Sequence, residues 1–355
     1  MDISLISLSL QSALLLAEMA FCLLFGLLLI RRSLLTSRVA PGWLALILLV
    51  SACSLVPWAA GHLGWYARDP HRKWLFYIPF QQLLLLGPCI YLYVNALLQA
   101  DASLPRRYGW HFLPAVLYLA YSLAMVVADA LVLDTPYFYA DGRDRDLDAW
   151  YQLLGFLSLL AYTGLSIARY RRYRRDIVQE VSYSDSVSYQ WARRYLHILL
   201  FLVVLRLVFL LAYRDFGNFG QLFWYYLTFG LISCAAGLAG YTETIRREAS
   251  RPLIIPDLAH DLDPEPQSAQ TYPDIATSDL REWKPRLLLI MEQHQAYRDP
   301  GLSLSDLAGQ MDLTRRQTSA LINREFGQNF NDFVNSYRVR AVRRALVDGV
   351  HVDLT

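Results

Sequence analysis

The chain has 355 residues, of which 55% are hydrophobic, 14% aromatic and only 18% charged, against about 25% charged in soluble domains. That balance excludes a largely disordered chain and a small disulfide scaffold, and a net charge of +2 excludes a globally basic nucleic-acid binder. Nearly all basic charge is arginine, with lysine only at Lys73 and Lys284.

Seven apolar stretches are long enough to be read as membrane spans, each needing about 20 residues. They cover residues 5–30, 41–61, 75–98, 111–133, 150–168, 196–213 and 221–241. Trp43, Trp65, Trp74, Trp110, Trp150 and Trp224 crowd their ends, where indole rings favour the headgroup level. The opening MDISLISL has no basic region and no small-residue cleavage site after the apolar run, so the first stretch is read as a retained helix. The expected fold is all-α, a seven-helix transmembrane bundle over 1–245 followed by a small cytoplasmic helix-turn-helix module.

Alternate loops differ in arginine. One set carries Arg31, Arg32, Arg38, Arg106 and Arg107, then the run from Arg169 to Arg175 and the pair Arg193 and Arg194. The other carries Arg68, Arg72, Lys73, Arg143, Arg145 and Arg214. The richer set is expected on the cytoplasmic side, which puts the N-terminus outside and the C-terminus inside. The run RYRRYRRD is read as a topology signal, with a lipid-headgroup or nucleic-acid patch as the rival.

Ionisable groups at membrane depth are costly and face the bundle interior, a cavity or a partner. Glu18, Gln81, Gln82 and Arg206 are read as structural pairs or snorkelling groups near the interface, with a signal-binding pocket for an unidentified ligand as the rival. His62, Asn95, Asp129 and His197 also lie in or near apolar runs. Cys22, Cys53, Cys89 and Cys234 sit within apolar runs without a CxxC pair, and read as small buried hydrophobes, with no metal site. No cofactor loop or catalytic constellation is evident, so the chain is not expected to be an enzyme.

Residues 246–278 carry five prolines and few large apolar residues, the pattern of a tether. From 279 the pattern is soluble and helical. Pro285 suits a first helical turn. SLSDLAGQM follows, with Ser303 and Asp306 spaced as a capping box, then TRRQTSALINREFG, with Thr314 and Gln317 spaced likewise. Leu321, Ile322 and Phe326 should point inward, and Gly327 should end the helix. Two short helices about a tight turn describe a helix-turn-helix whose second helix enters the DNA major groove. Its expected exposed residues are Arg315, Arg316, Gln317, Ser319 and Ala320, with Asn323 and Arg324 further along. Arginine suits guanine edges, and Gln or Asn suits adenine. A third helix from Asn329 should bury Phe330, Phe333, Val334 and Tyr337, and offers Arg340, Arg343 and Arg344 to phosphates.

The stretches YRDPGLSLSDLAGQM and SALINREFGQNFNDFVNSYRVRAVRRAL, with Gly327, Phe330, Tyr337 and Arg338 in register, resemble the first half of an AraC/XylS-type DNA-binding domain. LLGPCIYLYV and HFLPAVL resemble the seven-span regions that precede such domains in some bacterial regulators. The chain departs from the family pattern at Thr318, Ala320 and Val342, where Leu, a basic residue and Ala are usual. The family's second helix-turn-helix should begin where the sequence reads HVDLT, so the module over 279–355 is expected to hold the first unit alone. The resemblance implies a membrane-tethered transcriptional regulator in a bacterial inner membrane. Its expected partners are DNA, the lipid bilayer, a second copy of the chain and an unidentified signal. The rivals are a receptor-like adaptor whose tail binds protein, and a transporter with Glu18 and Arg206 along its path.

Overall fold

The computed structural model describes residues 9–67, 71–98, 106–133, 146, 148–180, 189–212, 219–249 and 277–347. Among them the chain is helical and has no strands. Among the described residues eight α-helices precede the tail: α1 (Leu10–Thr36), α2 (Val39–His62), α3 (His71–Tyr77), α4 (Leu83–Leu98), α5 (Leu113–Val127), α6 (Ala149–Glu180), α7 (Gln190–Ala212) and α8 (Phe219–Ala249). Four follow: α9 (Thr277–Glu292), α10 (Leu304–Met311), α11 (Arg315–Phe326) and α12 (Phe330–Val347). The chain divides into two compact units, residues 1–170 with 191–251 and residues 171–190 with 252–355. Most of the expected tether, 250–276, lies outside the described residues.

In the first unit, five described helices are long and apolar enough to cross a membrane: Leu10–Thr36, Val39–His62, Tyr108–Val132, Ala149–Ile177 and Leu222–Arg246. Helix α1 shows the physical pattern. Ser9 caps it, accepting from the Ser12 N–H at 3.1 Å. Leu15, Glu18, Cys22 and Leu29 recur at helical spacing and are buried, while Leu24 and Leu27 on other faces are 55% and 62% exposed. A helix apolar all round with one face exposed is what a bilayer accepts and water does not. Trp65, Trp110, Trp150 and Trp224 are exposed as well, as interfacial rings are.

Packing contacts give the helix directions. Gly26 packs on Leu49 and Gly42 on Ser33, so α1 and α2 are antiparallel. Trp58 stacks on Tyr226 at 4.2 Å and Gly240 meets Leu44, so α2 and α8 are antiparallel too. Glu18 meets Gly230, and Phe25 meets Tyr241 edge-on at 5.6 Å, so α1 and α8 run the same way. Leu83 faces Gly155 and Tyr162 faces Gly87, which makes α4 and α6 parallel. Tyr118 stacks on Tyr151 at 3.7 Å, and His111 bonds Tyr162 at 2.8 Å, which opposes α5 to α6.

The third expected span departs from the sequence reading. Instead of one helix over 75–98, α3 ends at Tyr77 and α4 starts at Leu83. Pro79 lies in the break and cannot donate to a helix. The 16 residues of α4 span about 24 Å, short of a hydrocarbon core of about 30 Å. The broken backbone is satisfied from other elements. The Gln81 N–H donates to Asp146 Oδ2 at 2.9 Å, the Tyr151 hydroxyl donates to the Gln81 carbonyl, and Gln81 Nε2 donates to the Ser54 carbonyl at 2.8 Å. Irregular backbone inside a hydrocarbon core would need such partners.

The tail helices pack around Leu287, Met291, Leu307, Leu321, Phe333 and Val334, with Tyr337 at the edge. Helix α9 begins at Thr277, so Pro285 lies inside it and not in its first turn as expected. Its ring removes one i→i−4 bond, and burial of Leu287, Ile290 and Met291 carries the helix through.

Candidate nucleic-acid interface

Both expected capping boxes form. Ser303 accepts from the Asp306 N–H at 3.2 Å, and Asp306 Oδ2 accepts from the Ser303 N–H at 2.9 Å. Thr314 accepts from the Gln317 N–H at 3.3 Å, and Gln317 Oε1 accepts from the Thr314 N–H at 2.9 Å. These pairs satisfy orphan donors at each helix start. Three residues, 312–314, separate α10 from α11. Asp312 takes the left-handed conformation, φ 52°, and its carboxylate accepts from Arg286 Nη2 at 2.7 Å. The turn is thereby tied back to α9. Lys284 Nζ bonds Glu325 Oε2 at 2.8 Å, fastening α9 to the other end of α11. At its C-terminus α11 ends on Gly327, φ 64°, where a Cβ would be strained.

The expected reading face of α11 is partly confirmed as a surface and partly corrected. Arg316 and Arg324 are exposed, and Arg315, Gln317, Ser319 and Asn323 are half-buried. Ala320, expected on the outside, is 3% exposed and belongs to the core with Leu321 and Ile322. Three successive residues cannot all turn inward on a helix against one neighbour. Here α9, α10 and α12 all contact α11, so its buried arc is wide. Thr318 is wholly buried and satisfies its hydroxyl on the Thr314 carbonyl at 3.1 Å. Gln317 spends its amide oxygen on the cap, which leaves Nε2 as its outward donor. Asn323 Nδ2 points at Ser319 Oγ, 3.5 Å away.

On α12, Arg340, Arg343 and Arg344 are exposed, and Arg340 lies 4.1 Å over the Tyr337 ring. Phe330, Phe333, Val334 and Tyr337 are buried. Asn329 caps the helix, accepting from the Asp332 N–H at 2.9 Å. Arg338 is different in kind: Nε donates to the Tyr297 carbonyl at 2.9 Å and Nη2 to the Asp299 carbonyl at 2.8 Å. Burial lowers its pKa from the ordinary arginine value, partly offset by Asp299.

The candidate signal residues have the following partners. Gln81 belongs to the network around Asp146, which also takes the Tyr118 hydroxyl, while Tyr226 donates to Gln81 Oε1 at 3.3 Å. Gln82 Nε2 caps the Pro79 carbonyl at 2.6 Å. Arg206 lies 5.2 Å from the Tyr225 ring centre and 5.9 Å from that of Phe156. Glu18 is 6% exposed, against Gly230, and neither carboxylate oxygen has a hydrogen-bond partner. The arrangement of Gln81 and Gln82 is structural: both hold the broken third stretch together. Sequence reasoning missed Asp146, whose only signal was an acid just before an apolar helix. It also missed the approach of Cys22 to Cys234, two residues 212 positions apart. Among the described residues no three His, Cys, Asp or Glu side chains come together as metal ligands.

The chain matches no protein-family model, no curated protein and no solved structure.

Proposed function

We propose that this chain is a multi-pass membrane protein that carries an AraC/XylS-type helix-turn-helix and regulates transcription from the membrane. The observation that carries the reading is the turn at 312–314 between two boxed helices, with Arg316 and Arg324 exposed on the second. That is the form of a helix presented to the DNA major groove. Arg343 and Arg344 on α12 supply cations for the flanking phosphates.

Seven crossings with the N-terminus outside suit both the arginine distribution and the helix directions. An odd number of spans puts the first and last in the same sense, and α1 and α8 run the same way. The module then lies on the cytoplasmic side of a bacterial inner membrane. Two copies, paired through their membrane parts, would address half-sites about 34–36 Å apart, and a signal acting on the spans would shift that pairing.

The test is DNA binding by the full chain in lipid nanodiscs, followed over a salt series. A regulator of this kind loses affinity linearly in log salt, by about 0.9 per phosphate neutralised. Binding that is absent at low salt, or independent of salt, would overturn the proposal in favour of a protein-binding adaptor.

A further inference from the structure

Helices α1 and α8 present matching ladders. Glu18 and Cys22 are one turn apart on α1, and Gly230 and Cys234 are one turn apart on α8. Because the helices are parallel, Glu18 falls opposite Gly230 and Cys22 opposite Cys234, with the two sulfurs 3.8 Å apart. Cys234 Sγ also lies 3.8 Å from the Glu18 carbonyl oxygen. All four cysteines are free thiols.

The surroundings are asymmetric. Cys22 is 0% exposed, whereas Cys234 is half-buried between Leu231 and Leu238, which are 57% and 49% exposed on the same helix. A reagent dissolved in the bilayer therefore reaches Cys234 first. Glu18, 6% exposed with both oxygens unpartnered, has no structural task that accounts for its place. A buried carboxylate without a partner is costly, and taking up a proton removes that charge. Cysteine reacts as the thiolate, so a proton acceptor one turn from the pair serves oxidation. A metal ion is the other use for two cysteines and a glutamate, but the side chains are not gathered as ligands.

We propose that Cys22 and Cys234 are a redox-active dithiol that reduces a lipid-soluble quinone and closes to a disulfide, with Glu18 accepting the thiol proton. Two S–H bonds break and one S–S bond forms, at about 2.05 Å. Two electrons and two protons pass to the quinone, one of the protons by way of Glu18, and the quinone leaves as quinol. Closure ties the first long helix covalently to the last helix of the membrane unit. The site stands on the membrane unit alone and does not depend on DNA binding.

The experiment uses the full chain, reduced and in anaerobic lipid nanodiscs, with decylubiquinone as the probe. After denaturation, free thiols are counted by maleimide mass-tagging. The expected result is a fall from four tagged cysteines to two, recovery with dithiothreitol, one quinol per chain, and a Cys22–Cys234 cross-linked peptide by mass spectrometry. Cys22→Ser and Cys234→Ser should each yield no quinol. Glu18→Gln should slow closure by roughly a hundredfold, the scale of one general base, with an unchanged end point. Four tagged thiols after quinone, or a cross-link involving Cys53 or Cys89, would overturn the proposal. So would protection that needs added zinc and is reversed by chelator. The thiol count and the peptide from the unsubstituted chain decide the matter whether or not any variant folds.

Discussion

Arg338 on α12 reaches across the module to the backbone of Tyr297, donating Nε to its carbonyl at 2.9 Å while Nη2 takes the Asp299 carbonyl at 2.8 Å. The two carbonyls belong to the segment that joins α9 to α10, so a single guanidinium holds that connection against the last helix. The ring of Tyr297 stacks near that of Tyr337, 6.0 Å between centres, on the same side.

Arg338→Ala should therefore act on stability before it acts on binding. Hydrogen bonds from a charged donor contribute about 1.5–3 kcal/mol, and thermal melting of the tail in the full chain should register a loss of about 2–3 kcal/mol. Arg338→Lys should recover little, because an ammonium cannot reproduce the two-pronged geometry.

Arg316 and Arg343 should separate base reading from phosphate contact. Arg316→Ala is expected to cost about 1–3 kcal/mol at a preferred site and to relax preference at one base position. Arg343→Ala should weaken binding on every sequence alike and lower the salt slope by about one contact. Fluorescence anisotropy over a salt series with matched and scrambled duplexes distinguishes them. Equal, sequence-blind losses from both would mean that α11 does not read bases.

Ala320 gives a sharper contrast with its neighbour in sequence, Ser319. Ala320→Arg forces a charge into a core that leaves this position 3% exposed, and breaking a core in this way costs several kcal/mol. Ser319→Arg, at a half-buried surface position, should stay within about 0.5 kcal/mol. Circular dichroism melts of the two variants should differ widely; similar melts would return Ala320 to the surface.

In the first unit, Gly155 permits a close approach that a rotamer change cannot relieve. A Cβ there would fall 2.5 Å from Leu83 Cβ, at the first residue of α4. Gly155→Ala should push α4 from α6 and cost about 1–3 kcal/mol, the range for overpacking. Gly164→Ala on the same helix meets nothing within 4 Å and should be neutral. Thermal unfolding in detergent, followed by Trp fluorescence, measures both.

Asp146 can be tested against the same background. Asp146→Ala strands the Gln81 N–H and the Tyr118 hydroxyl, each a buried group that costs about 1–3 kcal/mol unsatisfied. Asp146→Asn keeps an acceptor and should retain most of the stability. If Ala and Asn variants melt together, the break before α4 is held by something else.

The C-terminal module was largely legible from its residues. Both capping boxes, the Gly327 stop and the inward positions on α12 depend on spacings of three and four residues, and local backbone geometry enforces those. Apolar length likewise marked the helices able to cross a membrane, because such a helix must cover about 30 Å of hydrocarbon whatever its neighbours. What sequence could not decide depended on which elements meet. Residues 78–82, IPFQQ, lie inside a stretch long enough to be read as one span, yet Pro79 and the reach of Asp146 from beyond α5 make them a satisfied break. Ala320 carries no pattern that separates surface from core on a helix packed against three others. Cys22 and Cys234 became neighbours only when α1 and α8 lay side by side in the same direction. Gly230 leaves room for the Glu18 carboxylate at that contact, a pairing of distant residues that no window along the chain contains.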